Sequence, residues 1–257
     1  MSQDDRKSLD TSADETLPLG VPVPVPAQRG ERMRRGRATA LRATKWALIV
    51  LAGYYLLCLG LLVVYRFLPP PTTGVQTQRR VESLLGGHEY SKERRWVSLD
   101  DLPDHVGRAI VAAEDGRFWN HRGFDWAELA AARREAANGG RMRGASTLTQ
   151  QLMKNLFGST HRNPIRKVYD LALTPAAELI LGKERILELY LNQVEWGDGI
   201  WGIGAAARHH YGLPAPELSR SQAAGLAALL PSPRRRTPEN TRQYRGEILR
   251  RMGVRGW

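Results

Sequence analysis

The sequence predicts a mainly α-helical protein with a single N-terminal transmembrane helix, and three observations carry that expectation. Residues 46–65, WALIVLAGYYLLCLGLLVVY, form a run of 20 residues without a charge. Downstream, apolar residues recur at helical spacing between capping residues, glycines and prolines. Strand-like alternation is scarce, and the one candidate is a short stretch near Trp96 to Leu99.

Taken in order, residues 1–45 read as a disordered, basic cytoplasmic tail. The first 28 combine acids, Ser and Thr with LPLGVPVPVPAQ, too little apolar surface to offset the entropy of ordering. The apolar run, as a helix, is about 30 Å long, one hydrocarbon thickness. It lacks a core helix's polar stripe, and Arg66, Phe67 and three prolines follow it instead of a small-residue cleavage site. Residues 46–66 are therefore read as an uncleaved anchor. Between Arg29 and Lys45 seven Lys/Arg face one acid, Glu31, whereas the other flank has only Arg66 before Arg79. The positive-inside rule then puts the N-terminus in the cytoplasm and the rest outside the membrane. Residues 67–95 read as a membrane-proximal linker, in which PPPTTGVQTQ is a stiff spacer and QRRVESLLGG a short helix or hairpin.

The compact domain is expected over 96–257. An apolar helical run ends at Glu114 and Asp115. Asp125 supplies an N-cap and Glu128 a capping-box acid for a helix that Asn138, Gly139 and Gly140 stop. Ser146 is read as the cap of a second helix ending near Gly158. Pro164 suits the first turn of a third, with Ile165, Val168, Leu171 and Ala172 on one side, and Pro175 is expected to kink or interrupt it. Further helices are read at Lys183 to Leu191, Ile203 to Tyr211 and Ser221 to Leu230. Phe118, Trp126, Trp196 and Trp201 are read as core, His209 and His210 as a helix surface feature, and Asn192 and Gly197 as fixing a turn near a cleft.

The net charge of +12 is concentrated at the ends, with +6 in residues 29–45 and +6 in 233–257, against +3 in 46–232. A basic segment abutting a membrane span argues for anionic lipid rather than nucleic acid as its neighbour. The one cysteine, Cys58, lies inside the span, so no intrachain disulfide forms.

Two features point to chemistry. The first is the pair Glu114 and Asp115 at a helix C-terminus, where the partial negative charge of the dipole makes acids locally unfavourable by about 0.3 to 1 kcal/mol each. The second is the stretch from Ala136 to Tyr169, which holds no acid but carries Arg141, Arg143, Lys154, His161, Arg162, Arg166 and Lys167. Ser146, Thr147, Gln150, Gln151 and Asn155 interleave with these cations, and converging cations, amides and hydroxyls suit a phosphate or diphosphate. No metal-ligand spacing is visible.

These residues fall in five blocks that together resemble the peptidoglycan glycosyltransferase family in its monofunctional, membrane-anchored form, akin to the glycosyltransferase domain of class A penicillin-binding proteins. EDGRFWNHRGFD at 114, RGASTLTQQLMKNLF at 143, RNPIRKVYD at 162, KERILELYLNQVEWGDGIWG at 183 and AAGLAALLPSP at 223 match its blocks in order. The resemblance implies a lysozyme-like, mainly α-helical domain that polymerises lipid II into glycan strands on the outer side of the cytoplasmic (inner) membrane. It implies Glu114 as general base, supported by Asp115, with Phe118 and His121 shaping the loop. Lys154, Arg166, Lys167, Gln150, Gln151 and Asn155 are implied on the diphosphate and sugars, with Arg143, Ser146 and Thr147 beside them. Where the family has Glu in RKxxE this chain has Asp170, one methylene shorter, with Glu178 read as a structural or surface acid. No cofactor is required, although Mg2+ or Mn2+ could assist on the diphosphate. The implied partners are lipid II, the growing glycan chain, membrane lipid and proteins of wall synthesis or division. A lytic enzyme of lysozyme type would share the single glutamate, but it has no use for the acid-free basic block.

Overall fold

The computed structural model describes residues 27–87, 90–140, 144–161 and 164–257, with the side chains of 27–36, 38 and 164–166 left aside. The first 26 residues of the expected tail lie outside the described residues. The chain forms two compact units, Met1–Ala52 and Gly53–Trp257. In the first, helix α1 (Ala27–Phe67) begins well inside the segment expected to be disordered. Arg and Ala dominate residues 32–45, and such helix formers propagate a helix once the apolar run has nucleated it. Among the described residues one stretch, Thr39–Phe67, is long and apolar enough to cross a membrane.

The second unit holds the last turns of α1 and everything after them. α2 (Gly74–Gly86) is capped by Thr73, whose hydroxyl accepts from the Gln76 N–H, and Val75 and Gln76 are buried as it packs on α5. The segment read as a linker is thus part of the packed domain. α3 (Asp104–Glu114), α4 (Trp126–Ala137), α5 (Leu148–Phe157), α6 (Pro164–Leu181), α7 (Lys183–Gln193), α8 (Ile203–Tyr211), α9 (Arg220–Ala227) and α10 (Arg242–Val254) follow. Helix α5 is central: α2, α6 and α7 pack around it, while α3 packs on α9 and α10. α6 runs through Pro175 as one helix, so of the expected kink or interruption the interruption does not occur. Packing holds it there, with Leu173, Thr174 and Ala177 all buried.

Among the described residues three short strands, β1 (Glu93–Arg94), β2 (Glu195–Gly197) and β3 (Ile200–Trp201), pair in the order β1-β3-β2. β1 lies parallel to β3 with Glu93 opposite Ile200, and β2 is antiparallel to β3 with a bulge between Glu195 and Gly197. The strand expected near Trp96 therefore falls two residues earlier, and the β2–β3 pair is too short for a period of two to register in the sequence. Asn192 ties this edge to α7: fully buried, it accepts from the Val97 N–H at 2.9 Å and donates to the carbonyls of Val97 (2.8 Å) and Glu188 (2.9 Å). Trp196 and Trp201 are buried, as expected. Trp126 is not: at 68 % exposure it lies outside the core, its ring stacked on Phe124 at 5.4 Å, because the first turn of α4 points it away from the protein.

Asn192→Ala removes the side chain that accepts the half-buried Val97 N–H and donates to the Val97 carbonyl. The expected cost is about 1–3 kcal/mol, read as a lowered chemical-denaturation midpoint of the detergent-solubilised protein. An unchanged midpoint would remove Asn192 from this role.

Candidate active site

Glu114 is the last residue of α3, and Asp115 has already left the helix, with φ −156° and ψ 72°. Asp115 escapes the unfavourable dipole of its own helix by serving another. Its Oδ2 accepts the Leu148 N–H at 3.0 Å, the first residue of α5, where helix polarity favours an anion. His121 Nε2 donates to both Asp115 oxygens, at 2.9 and 3.0 Å. The Gly123 N–H donates to His121 Nδ1 at 3.1 Å, which leaves the ring proton on Nε2 and fixes the tautomer. Gly123 itself has φ +89°, and a Cβ there would lie 2.6 Å from Thr174 Cγ2, so only glycine lets the loop close on α6.

Asp115, His121 and Asp125 bring ligand-type atoms within 4.8 Å of one another. Hydrogen bonds already engage them. Asp125 Oδ1 accepts the Glu128 N–H at 2.9 Å as the expected N-cap of α4, and Oδ2 faces Arg117 Nε at 3.4 Å. The trio acts as a clasp on the loop.

The α5 N-cap is Thr147, not Ser146, which is exposed. The Thr147 hydroxyl donates to the Gly123 carbonyl at 2.7 Å and accepts from the Gln150 N–H at 3.3 Å, while Gln150 Oε1 accepts from the Thr147 N–H at 3.2 Å. Thr147 caps because it is the residue buried against the loop, and this capping box also engages Gln150.

Glu114 is half-buried and turns to the next turn of the same helix. Its Oε2 accepts from Gln151 Nε2 at 2.9 Å, and Gln151 Oε1 accepts from the Tyr190 hydroxyl at 2.9 Å. Burial pushes the Tyr190 phenol well above its ordinary value, so it is a fixed donor, and it orients the Gln151 amide with its NH2 toward Glu114. Burial raises the Glu114 carboxyl above the usual glutamate value. The Gln151 bond and the charges of Lys154 and Arg236 pull it back, and Asp115 adds to the rise. Lys154 stands one turn beyond Gln151, and Asn155 Nδ2 donates to the Gln151 carbonyl at 2.8 Å.

At the far end of α5 lies Asp170, buried on α6. A Cβ on Gly158 would sit 3.2 Å from Asp170 Oδ1 and 2.7 Å from the Lys154 carbonyl, so the glycine is what admits the α6 carboxylate. Gln151 and Gly158 are seven residues apart, which places the two acids' attachment points roughly 10 Å apart along α5. The end of α1 braces this side: Tyr54 donates to the Phe157 carbonyl at 2.8 Å, and its ring stacks on Tyr169 at 5.0 Å.

Other expected site residues fall elsewhere. Arg143 lies outside the described residues, as does the side chain of Arg166, whose backbone is in the first turn of α6. Lys167 is exposed. Phe118 is fully buried with Lys183 Nζ 4.3 Å above its ring. Glu178 is structural, accepting from Thr149 Oγ1 at 2.6 Å and Lys183 Nζ at 2.9 Å. His209 is exposed, whereas His210 is half-buried and donates from Nε2 to the Trp196 carbonyl at 3.2 Å. Tyr190, Arg236 and Tyr244 reach the site without having been expected there. Tyr190 stands inside the block KERILELYLN and so had a signal, but Arg236 is one of three consecutive arginines that the sequence does not distinguish.

With this geometry in hand, likeness to known proteins is specific. The transglycosylase family profile matches residues 80–253. A biosynthetic peptidoglycan transglycosylase of Ectopseudomonas mendocina is 47 % identical over 196 residues, covering 76 % of this chain and 81 % of that one. One from Rhodospirillum centenum is 46 % identical over 209 residues, covering 80 % and 88 %, and one from Pseudomonas fluorescens is 45 % identical over 194 residues, covering 76 % and 80 %. The chain belongs to the transglycosylase family.

Asp115→Asn removes the charge that accepts from both His121 and Leu148. The expected loss is about 1.5–3 kcal/mol of stability, measured by denaturant unfolding at neutral pH. A midpoint equal to the parent's would mean the charge at Asp115 does not hold the loop to α5.

Proposed function

We propose that the chain polymerises lipid II into peptidoglycan glycan strands with Glu114 as the general base, working from the outer face of the cytoplasmic membrane. It is a peptidoglycan glycosyltransferase, as its family membership gives. In the proposed step Glu114 takes the proton of the 4-hydroxyl on the acceptor lipid II as that oxygen attacks the donor's anomeric carbon. The bond from that carbon to the diphosphate oxygen breaks, and the electron pair leaves with the undecaprenyl diphosphate. Attack opposite the leaving group turns an α-linked donor into a β-linked strand. A hydroxyl is a poor nucleophile at neutral pH, and a positioned base contributes typically about 10²- to 10⁴-fold.

The observation that carries this reading is the placement of Glu114 against Gln151, with Lys154 one turn farther along α5. A carboxylate raised by burial is a stronger base than a solvated one, and the cation beside it suits an anionic leaving group. Lys154, Arg166 and Lys167 are assigned to the diphosphate, with Arg143, Ser146 and Asn155 beside them, and Asp170 to the α6 side of the cleft. Phe118, His121, Thr147 and Gln150 support the site from within the protein. No resident cofactor is assigned, and Mg2+ or Mn2+ would enter with the substrate's diphosphate. The basic flank before the span supports a cytoplasmic N-terminus. Wall-synthesis or division proteins are the partners such an enzyme would work with.

Glu114→Gln is expected to lower the rate of lipid II polymerisation by about 10²- to 10⁴-fold while leaving the fold intact. Parent-like rates would eliminate Glu114 as the base, and dissolution of finished glycan without polymer formation would eliminate the synthetic reading.

A further inference from the structure

We infer that the C-terminal segment, through Arg236 and Tyr244, positions the end of α3 and thereby Glu114. The inference rests on Glu114 being the base, and both residues are positioning residues for it.

The last carbonyls of a helix have no N–H of their own helix to bind. In α3 the Val111 carbonyl accepts from the Asp115 N–H at 3.0 Å. The next two are served from α10: the Ala112 carbonyl accepts from Arg251 Nη1 at 3.3 Å and the Ala113 carbonyl from the Tyr244 hydroxyl at 3.2 Å. Tyr244 in turn has two cations against its ring, with the Arg236 guanidinium carbon 5.5 Å and that of Arg251 5.9 Å from its centre. Arg236 is tethered by its Nη1 to the Ala228 carbonyl at 2.8 Å, at the end of α9, which itself packs on α3. Arg255 closes the arrangement from the other side, since a Cβ on Gly116 would meet its Nη2 at 2.5 Å. Four side chains from residues 236–255 therefore converge on the five residues from Ala112 to Gly116.

This convergence addresses the charge as well as the carbonyls. Arg251 is ion-paired with Glu247, whereas the charge of Arg236 favours the ionised Glu114, after the Gln151 bond and the charge of Lys154. The other groups facing Glu114 are Asp115 beside it, Gln151 and Lys154 from α5, Tyr190 from α7 and Tyr244 from α10. Lys154 is already assigned to substrate. Arg236, tethered to backbone, is a second cation that favours the ionised carboxylate alongside Lys154.

The test uses the full-length, detergent-solubilised protein and the pH dependence of lipid II polymerisation. A base acts only when ionised, so activity falls as pH drops through the Glu114 titration. Arg236→Gln is expected to move that acidic limb upward, and Arg236→Lys to keep the parent's limb. Tyr244→Phe, which retains the ring against its two cations, is expected to lower kcat severalfold with KM for lipid II unchanged; it decides the matter if Arg236→Gln does not fold. An acidic limb unmoved in Arg236→Gln, equal losses at every pH in both Arg236 variants, or a parent-like kcat in Tyr244→Phe would overturn the inference. An inactive Glu114→Gln beside an unmoved Arg236→Gln limb sinks this inference alone, whereas an active Glu114→Gln sinks the assignment of the base.

Discussion

The Asp115 carboxylate is the junction on which the site depends. It stands where the negative end of α3 meets the positive end of α5, and it accepts the first N–H of α5 while holding His121. Placed at its own helix end it would be a liability of up to about 1 kcal/mol, and placed at the start of another helix the same charge is favourable. Once Asp115 is fixed on Leu148, Glu114 one residue earlier is fixed on Gln151, one turn deeper along the same helix. Two adjacent acids thus contact successive turns of α5, the second holding the loop to the helix and the first, in the proposed reaction, serving as base.

Helix α5 then sets the spacing of these contacts. Its start carries the Asp115 and Thr147 contacts, its middle Gln151 and Lys154, and its end Gly158 with Asp170 alongside. At 1.5 Å per residue, ten residues from Leu148 to Gly158 span about 15 Å. That rigidity has a cost located at Glu114. Its carboxyl is raised, so the ionised form destabilises the fold at neutral pH. The cost is relieved as pH falls through the raised value and is gone below the ordinary glutamate value of about 4.3.

Much of this was legible in the sequence because helix signals are local. Asp125 as an N-cap, Gly158 as a stop and the bounds of α8 at Ile203 and Tyr211 all follow from side chains within a turn of the residue concerned. The family blocks likewise put Glu114, Gln151 and Lys154 in one site. What the sequence hid depends on distant partners. Ser146 reads as the cap from the sequence, and only the bond of Thr147 to the Gly123 carbonyl shows that Thr147 takes the role. Pro175 reads as a breaker until burial of its neighbours outweighs the lost hydrogen bond. α10 registers in the sequence only as a concentration of positive charge, and its role appears only where Tyr244 and Arg251 meet carbonyls 131 and 139 residues away in sequence. The β2–β3 pair, at three and two residues, lies below the length at which alternation is informative.

The central claim is that one of two adjacent acids is consumed by structure while its neighbour is kept buried as a base. Carboxyl carbon NMR of glutamate-labelled, full-length protein in detergent, with the Glu114 resonance assigned by its loss in Glu114→Gln, tests it directly. The Glu114 carboxyl should titrate clearly above the ordinary glutamate value of about 4.3. Titration at or below that value would mean the site does not desolvate Glu114, and the account of its basicity would fail.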